Sequence, residues 1–218
     1  MEEGAGEQSQ KNEAQVAAKH AELTAYVTEH QDAIERKERV LLFVDECFLH
    51  WGDVCGYSWA KRNERATRDV VNTQARQPFY GALDALTGEM HLMSYPVAQT
   101  DNTTDFLVEL RLRYPDAKLT ICWDNARWHK GKEMERFLAE VNGALSPEDW
   151  PITCINVAPH DPTQNPIEEV WRQGKAAIQK LRLVATKFQE VIDAFEQGLE
   201  RHIFDFPNRQ RYGRLQMI

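Results

Sequence analysis

The sequence predicts a mixed α/β domain in which a partly parallel sheet is covered by helices on both faces. Two observations carry this prediction. Continuous apolar runs rich in β-branched and aromatic residues, typical of buried strands, occupy 40–51, 118–126 and 152–158. Helical patterns separate these runs, and strands joined through helices usually pair in parallel. The 218 residues, 42% of them hydrophobic, suffice for one domain with a sizeable core.

The segment before the first strand is predicted to be only partly folded. Residues 1–13 are polar, rich in Glu and Gln and without hydrophobic periodicity, so we expect them to be disordered. From residue 14 to about 37 the pattern favours a helix that leads into the domain, and its apolar stripe comprises Val16, His20, Leu23, Val27 and Ile34. We therefore expect a tail and lead-in helix over 1–37, a main domain over 38–205 and a basic C-terminal tail over 206–218.

The remaining elements of the main domain follow from local patterns. Two strands at 77–86 and 89–97 form a predicted hairpin that turns at Thr87-Gly88. A helix over 101–115 is expected to end at its proline. Further helices are predicted at about 132–142, 165–181 and 187–202.

Composition limits the function. The formal net charge of −8 argues against a general nucleic-acid binder, although basic residues can still cluster on one face. No apolar run approaches the roughly 18 residues that span a membrane, and the acidic N-terminus is no secretory signal, so we expect a soluble cytoplasmic protein. The four cysteines form no Cys-x-x-Cys pair, which favours reduced thiols. A metal site of Cys47, His50 and Cys55 would lack a second cluster at zinc spacing.

Two aspartates stand where buried strands are predicted to end. Asp45 ends the first apolar run and Asp124 ends the second. If these strands are parallel neighbours, both side chains lie at the carboxyl edge of the sheet, where ligands bind in open α/β proteins. Desolvating a carboxylate costs several kcal/mol unless a cation satisfies it, so two adjacent aspartates imply a divalent ion between them. Each residue alone could also be a turn former or a helix cap.

A third carboxylate comes from the helix that begins after Asn165-Pro166. Glu168 borders the apolar stripe of this helix, which favours an orientation towards the strand edge, whereas Glu169 lies about 100° further round and is expected to face solvent. A glutamate in the first helical turn also complements the helix dipole, which is the simpler reading of its position. Three carboxylates suit Mg²⁺ or Mn²⁺, and two such ions about 3.5–4 Å apart serve in-line phosphoryl displacement.

Three motifs surround these carboxylates: LLFVDE (41–46), ICWDNARWHKG (121–131) and NPIEEVW (165–171), the last followed by Lys175. Together they resemble the catalytic domain of insertion-sequence transposases of the IS630/Tc1/mariner superfamily. The resemblance implies an RNase H-like α/β fold over 38–205, with a mixed, mostly parallel five-stranded sheet flanked by helices. It also implies a DDE triad that binds two Mg²⁺ or Mn²⁺ ions, made of Asp45, Asp124 and Glu168.

The implied function is that of a metal-dependent DNA transposase and endonuclease, which cleaves transposon ends and transfers the freed strand to target DNA. Two alternatives stay open: a domesticated, non-catalytic remnant that binds DNA or protein, and a nuclease of the same fold that does not transpose. The first 40 residues contain no counterpart of the family's helix-turn-helix region. Either a separately encoded partner supplies the helix-turn-helix region, or the protein is a truncated or repurposed remnant. The resemblance also implies a homodimer and a location on the bacterial nucleoid.

Basic residues near these motifs offer phosphate contacts despite the net charge. Such contacts need local positive charge, although each cluster could equally be a solvated face. His129 matches the histidine after the family's second aspartate and is expected near the site. Trp123, Trp128 and Trp171 could stack on bases, but packing in the core or rim is favoured. The residues predicted to contact DNA are Lys61, Arg62, Arg65, Arg127, His129, Lys130, Lys132, Arg172 and Lys175.

Overall fold

A computed structural model of the chain describes residues 3–54, 75–158 and 164–207. Its centre is a five-stranded sheet in the order β3-β2-β1-β4-β5. The strands are β1 (Arg39–His50), β2 (Arg76–Asp84), β3 (Met90–Ser94), β4 (Lys118–Trp123) and β5 (Ile152–Asn156). β1 pairs in parallel with β4, which pairs in parallel with β5, whereas β1, β2 and β3 form an antiparallel meander. The mixed α/β sheet is confirmed, but it is not mostly parallel, because the hairpin strands contribute as many pairings as the crossover strands.

Helices cover both faces of this sheet. In the described ranges they are α1 (Glu3–Glu29), α2 (Gln31–Glu35), α3 (Thr100–Arg113), α4 (Lys132–Asn142), α5 (Ile167–Ile178) and α6 (Phe188–Leu199). Short 3₁₀ turns extend β1 over Trp51–Val54, precede α4 over Arg127–His129 and follow α5 over Gln179–Leu183. The predicted strands and helices are therefore present in the predicted order, with boundaries shifted by a few residues.

The N-terminal helix is longer than predicted. α1 begins at Glu3, so the expected disorder of residues 1–13 is wrong from that position onward. Glu, Gln, Lys and Ala are frequent in this stretch and have high helix propensity, and no proline interrupts it. Leu23 and Val27 are buried, whereas Val16 and His20 are only partly covered. The C-terminal part of α1 thus provides its contact with the core.

Two hydrophobic cores lie on opposite faces of the sheet. Leu41 and Phe43 of β1 belong to the core that includes α5 and α6. Leu42 and Val44 belong to the other core, which includes α3 and α4. Since side chains alternate along a strand, residues with odd numbers in this part of β1 face α5 and those with even numbers face α3 and α4.

Three further expectations concern single features. The hairpin turns at Gly88, whose φ of 76° lies in the left-handed region that glycine adopts readily. Cys47, Cys122 and Cys154 carry free thiols, as predicted, while Cys55 lies outside the described residues. Within the ranges that the structure describes, no helix is long and apolar enough to cross a membrane.

Candidate active site

The pairing of β1 with β4 brings the two candidate aspartates to neighbouring positions. The strands run in parallel register up to Phe43 and Cys122, and Asp45 and Asp124 each lie two residues further along. β4 ends at Trp123, whereas β1 continues and pairs with β2. The prediction that Asp45 ends its strand is therefore wrong, because Asp45 lies inside the long strand β1. The neighbouring strand ends there instead, which opens the sheet beside Asp45.

A tryptophan from α5 holds Asp45. Nε1 of the buried Trp171 donates a hydrogen bond to Oδ2 of Asp45 over 3.0 Å. Gly81 of β2 pairs directly with Asp45, and a Cβ atom at Gly81 would lie 2.4 Å from the Trp171 ring. Because that distance is far below van der Waals contact, a side chain at Gly81 would displace the indole. The glycine thus makes room for the tryptophan that binds the aspartate.

The carboxylates of the site disfavour each other's ionisation. Burial raises the pKa of Asp45 well above its usual range, and the charges of Glu168 and Glu46 raise it further. Glu168 borders an open groove, yet partial burial of its carboxylate raises its pKa, with Asp124 adding to the effect and Lys175 opposing it. Glu168 is therefore close enough to interact electrostatically with both aspartates. The three negative charges together leave this region with an excess of negative charge.

An open groove of about 480 Å³ lies beside Asp45 and Glu168, whereas Asp124 is not part of its lining. The groove is lined by Glu168, Trp171, Arg172 and Lys175 of α5 and by the residues Asp45, Glu46, Cys47, Phe48 and His50 of β1. The groove thus combines acidic groups at its base with cations from the same helix. That combination suits a phosphate backbone, whose oxygens are bound by cations while acidic groups serve a reactive centre.

Glu169 is engaged along the surface of α5 and does not line this groove. Its carboxylate accepts hydrogen bonds from Nε of Arg172 over 2.7 Å and from Nε2 of Gln173 over 2.9 Å. These partners are three and four residues away, the spacing at which helical side chains meet. They cover Glu169, whose side chain is 27% exposed, so the prediction that Glu169 is the more solvent-facing glutamate is wrong. Glu168 is the more exposed residue because it faces the open groove.

Asp124 lies at a turn directly after β4 and has two partners in the chain. Its Oδ1 accepts a hydrogen bond from the Ala126 backbone N–H over 2.8 Å. Nδ1 of His129 lies 3.1 Å from the same oxygen. The His129 hydrogen bond lowers the pKa of Asp124, although partial burial opposes this. Asp124 is therefore the most readily ionised of the three candidate carboxylates.

His129 is a buried bridge between two carboxylates and does not contact solvent. Its side chain is 0% exposed, and its ring is stacked on Trp123 with centroids 4.3 Å apart. Nε2 of His129 lies 3.0 Å from Oε1 of Glu46. Burial works against the charged ring, but the hydrogen bonds to Asp124 and Glu46 outweigh it and raise the pKa of His129 to about 9. The prediction that His129 contacts DNA is wrong, because no surface of its ring is available.

Glu46 is the functional candidate that the sequence analysis missed. It appeared there only as part of the LLFVDE motif. Its position could have identified it. Glu46 directly follows Asp45 in a strand, and neighbouring side chains of a strand face opposite sides of the sheet. If Asp45 faces the site, Glu46 must face the core on the other side. Its side chain is 4% exposed.

The other residues predicted to contact DNA are mostly exposed or undescribed. Arg127, Lys130 and Lys132 are exposed at the turn after β4 and at the start of α4, and the Arg172 side chain is 69% exposed. Arg172 is paired with Glu169, although most of its side chain remains exposed. Outside the described residues lie Lys61, Arg62 and Arg65.

Lys175 is tied to the neighbouring strand and turn. Its Nζ donates a hydrogen bond to the Phe48 carbonyl oxygen over 3.2 Å and lies 3.4 Å from Oδ2 of Asp53. Oδ2 of Asp53 also accepts a hydrogen bond from the His50 backbone N–H. Lys175 thus connects α5 to the end of β1. Its ammonium group borders the groove and is already bound by protein groups.

The chemistry of the donors fits hard divalent cations. Mg²⁺ and Mn²⁺ prefer carboxylate oxygens, which all three candidates offer. The raised pKa values of Asp45 and Glu168 mark a place where a cation would relieve repulsion. Among the described residues, no group of three or more His, Cys, Asp or Glu side chains is arranged closely enough to hold an ion. Ion binding would therefore require the carboxylates to draw together.

A mixed five-stranded sheet with acidic residues beside its central parallel pair, and a third acidic residue on a covering helix, defines an RNase H-like nuclease domain. The chain belongs to the DDE superfamily endonucleases, since the sequence model of that family (DDE_3) matches residues 40–190. This confirms the prediction of a DDE-type catalytic domain. No curated protein sequence gives a significant match.

Solved structures of a mariner transposase share this fold. The Mos1 transposase paired-end complex with left transposon end superposes with a TM-score of 0.60 at 12% identity, covering 93% of this chain and 59% of that chain. The catalytic domain of Mos1 mariner transposase gives a TM-score of 0.55 at 11% identity, covering 93% of this chain and 86% of that one. The predicted RNase H-like fold is thus confirmed. This chain spans 59% of the length of the transposase in the paired-end complex.

Proposed function

We propose that this domain carries out metal-dependent cleavage and strand transfer of transposon DNA, with Asp45, Asp124 and Glu168 as its catalytic carboxylates. The observation that carries the proposal is the position of Glu168. Glu168 lines the same groove as Asp45. Burial raises the pKa of both carboxyl groups, the charge of Asp124 raises that of Glu168 further, and the charge of Glu168 raises that of Asp45 further, so one residue of α5 interacts with both aspartates. Membership of an endonuclease family supports the class of reaction.

The three carboxylates would hold two divalent ions, Mg²⁺ or Mn²⁺. A Mos1 mariner paired end complex with Mn, which superposes with a TM-score of 0.59 at 13% identity, supports this choice of ion. When bound, such ions activate the attacking oxygen and stabilise the departing one. The chain itself orients the carboxylates: Trp171 binds that of Asp45, and His129 binds that of Asp124.

The proposed reaction consists of two in-line displacements at phosphorus. In the first, a water oxygen attacks the phosphorus at the transposon end, the bond to the 3′ oxygen breaks, and that oxygen takes up a proton. In the second, the new 3′-hydroxyl loses its proton as its oxygen forms a bond to a phosphorus of target DNA, and the target's 3′ oxygen leaves and takes up a proton. Arg127, Lys130, Lys132 and Arg172 are placed to bind the DNA backbone, because each is exposed beside the carboxylates.

Transposon ends and target DNA are accordingly the proposed partners, and the site of action is the bacterial nucleoid. A homodimer would cut both ends of an element together. These partners follow from the resemblance of the three motifs to transposases and from the fold shared with Mos1.

The test is nicking of supercoiled plasmid DNA in Mn²⁺ or Mg²⁺ by the wild type, Glu168→Gln and Glu169→Gln. We expect Glu168→Gln to lower the rate by about 100-fold or more, because a metal ion supplies several kcal/mol of transition-state stabilisation and 1.36 kcal/mol corresponds to a factor of ten. Glu169→Gln is the matched control and should keep the wild-type rate, since Glu169 binds Arg172 and Gln173 on the helix surface.

Equal rates for the wild type and Glu168→Gln would overturn the assignment of the carboxylates. Strand transfer is measured separately with a duplex that already carries a free 3′-hydroxyl at an inverted repeat flanking the gene. Joining of this duplex to plasmid supports transposition. Nicking without joining identifies a nuclease that does not transpose, and binding without either reaction identifies a non-catalytic remnant.

A further inference from the structure

We infer that Glu46 is a positioning residue of this site, which holds the ring of His129 and through it the carboxylate of Asp124. The inference rests on the proposed role of Asp124 as a metal ligand. Glu46 lies on the opposite face of the sheet from Asp45. The two neighbouring acidic residues therefore have separate roles, Asp45 as a metal ligand and Glu46 as a positioning residue.

The location of Glu46 requires a partner. Asp45 faces α5, and strand alternation directs Glu46 into the core beneath α3 and α4. The Glu46 side chain is 4% exposed. A carboxylate so well buried costs several kcal/mol unless a hydrogen-bonded cation or donor compensates it. Oε1 of Glu46 lies 3.0 Å from Nε2 of His129, which supplies that partner.

The His129 ring is fixed in one orientation. Its face is stacked on Trp123 at an interplanar angle of 4°, and Trp128 lies against it edge-on. Nε2 lies 3.0 Å from Oε1 of Glu46, whereas Nδ1 lies 3.1 Å from Oδ1 of Asp124 and 3.2 Å from the backbone carbonyl oxygen of the same residue. The imidazole ring is rigid and planar, so its two nitrogens point in fixed, divergent directions. Holding one end of the ring therefore aims the other end.

Asp124 depends on this ring because little else restrains it. It follows the last residue of β4, so strand pairing does not hold it, and its side chain is 51% exposed. Its carboxylate contacts in the described structure are the Ala126 backbone N–H and His129. Outer-shell partners of this kind orient metal-binding groups in many proteins. The chain from Glu46 through His129 to Asp124 thus sets the position of a surface carboxylate from inside the core.

The test compares Glu46→Ala with Glu46→Gln, and Glu38→Ala is the matched control. Glu38 lies just before β1, in an exposed ion pair with Arg36. We expect Glu46→Ala to weaken Mn²⁺ binding about 10-fold or more, which is the usual effect of losing an outer-shell partner, and to lower kcat for plasmid nicking with little change in KM. Glu46→Gln should return both values to within about threefold of the wild type, because its amide oxygen still accepts from Nε2–H. Glu38→Ala should match the wild type.

Wild-type Mn²⁺ affinity in Glu46→Ala would overturn the inference, and so would equal losses in the Ala and Gln variants. Nitrogen NMR of the His129 ring provides a readout that needs neither metal nor a stable Ala variant. We expect a protonated, hydrogen-bonded Nε2 in the wild type and in Glu46→Gln, and an unprotonated Nε2 in the wild type would contradict the contact. A wild type that neither binds Mn²⁺ nor nicks DNA contradicts the proposed function, while this NMR signal still reports on Glu46 and His129.

Discussion

Nε1 of Trp171 donates a hydrogen bond to Oδ2 of Asp45 over 3.0 Å, and this contact joins α5 to β1 at the candidate active site. The indole is itself stacked on Phe195 of α6, with ring centroids 6.3 Å apart. Glu168 lies three residues before Trp171, on the adjacent turn of the same helix. The bond to Asp45 therefore also helps to set how far Glu168 lies from that aspartate.

Replacing the indole by a ring without an N–H isolates this contact. We expect Trp171→Phe to lower the plasmid-nicking rate by about tenfold, because a hydrogen bond to a charged group contributes about 1.5–3 kcal/mol. Trp150→Phe is the control, since Nε1 of Trp150 donates to the Leu145 carbonyl oxygen on the surface. Urea unfolding of both variants separates loss of activity from loss of stability. Equal activity of Trp171→Phe and the wild type would remove Trp171 from the site.

A methyl group opposite Asp45 should disturb the same contact through packing. A Cβ at Gly81 would lie 2.4 Å from Trp171 and from the side chain of Met90. We expect Gly81→Ala to lower the free energy of unfolding by about 1–3 kcal/mol, the usual effect of overpacking. Gly198→Ala should instead raise it by about 0.5–1 kcal/mol, because Gly198 lies in α6 with open space around its Cα. Denaturant melts of both variants check the opposite signs.

The bridge formed by His129 makes stability depend on pH. Its pKa in the folded protein, about 9, is above the ordinary 6.5, so its stabilising contribution is complete below pH 6.5 and is lost as the pH rises through 9. The free energy of unfolding should fall by about 3 kcal/mol across this range, at 1.36 kcal/mol per pH unit. His129→Gln should flatten the curve between these pH values.

His91→Gln is the control for that pH profile. Burial lowers the pKa of His91 to about 4, with Arg113 adding to the effect, so this histidine stays neutral above pH 6.5. Its replacement should shift the whole stability curve without changing its slope between pH 6.5 and 9. A flat wild-type curve in this range would contradict the charged bridge.

Removal of a charge from the carboxylate site should stabilise the metal-free protein. The pKa of Asp45 is raised by burial and by neighbouring carboxylates. A carboxyl group with a raised pKa stabilises the fold below its unfolded pKa of about 4 and loses that contribution as the pH rises. At pH 7, Asp45→Asn should therefore raise the Tm, by about 2–4 °C for each kcal/mol gained.

Divalent ions should make the wild type melt at a higher temperature than Asp45→Asn. An ion that binds only the folded wild type stabilises it by about 2.7 kcal/mol at 100 times its dissociation constant. Mn²⁺ should thus raise the Tm of the wild type and leave that of Asp45→Asn nearly unchanged. Thermal melts with and without Mn²⁺ make the comparison. A metal-free Asp45→Asn variant that melts below the wild type would show that the aspartate is not under electrostatic strain.

Local patterns accounted for most of the architecture. Apolar runs predicted β1, β4 and β5, and an apolar stripe predicted α5. Such predictions succeed because the spacing of apolar residues within a short segment shows which of its side chains are buried. The polar pattern of residues 1–13 predicts disorder wrongly, because these residues have high helix propensity and α1 begins at Glu3. The sequence also predicted that Asp45 ends its strand, although the apolar run of 40–51 continues past Asp45 and pairs with β2 as far as His50.

The sequence by itself determined the order of the elements, and it predicts the candidate carboxylates with Glu168 rather than Glu169 as the third. Tertiary structure alone decided how these groups are held. The space at Gly81 for Trp171, and the passage from Glu46 through His129 to Asp124, join residues that are far apart in the chain. Strand register and helix packing create such contacts, and no local pattern of residues encodes the distance between two side chains that only the folded sheet brings together.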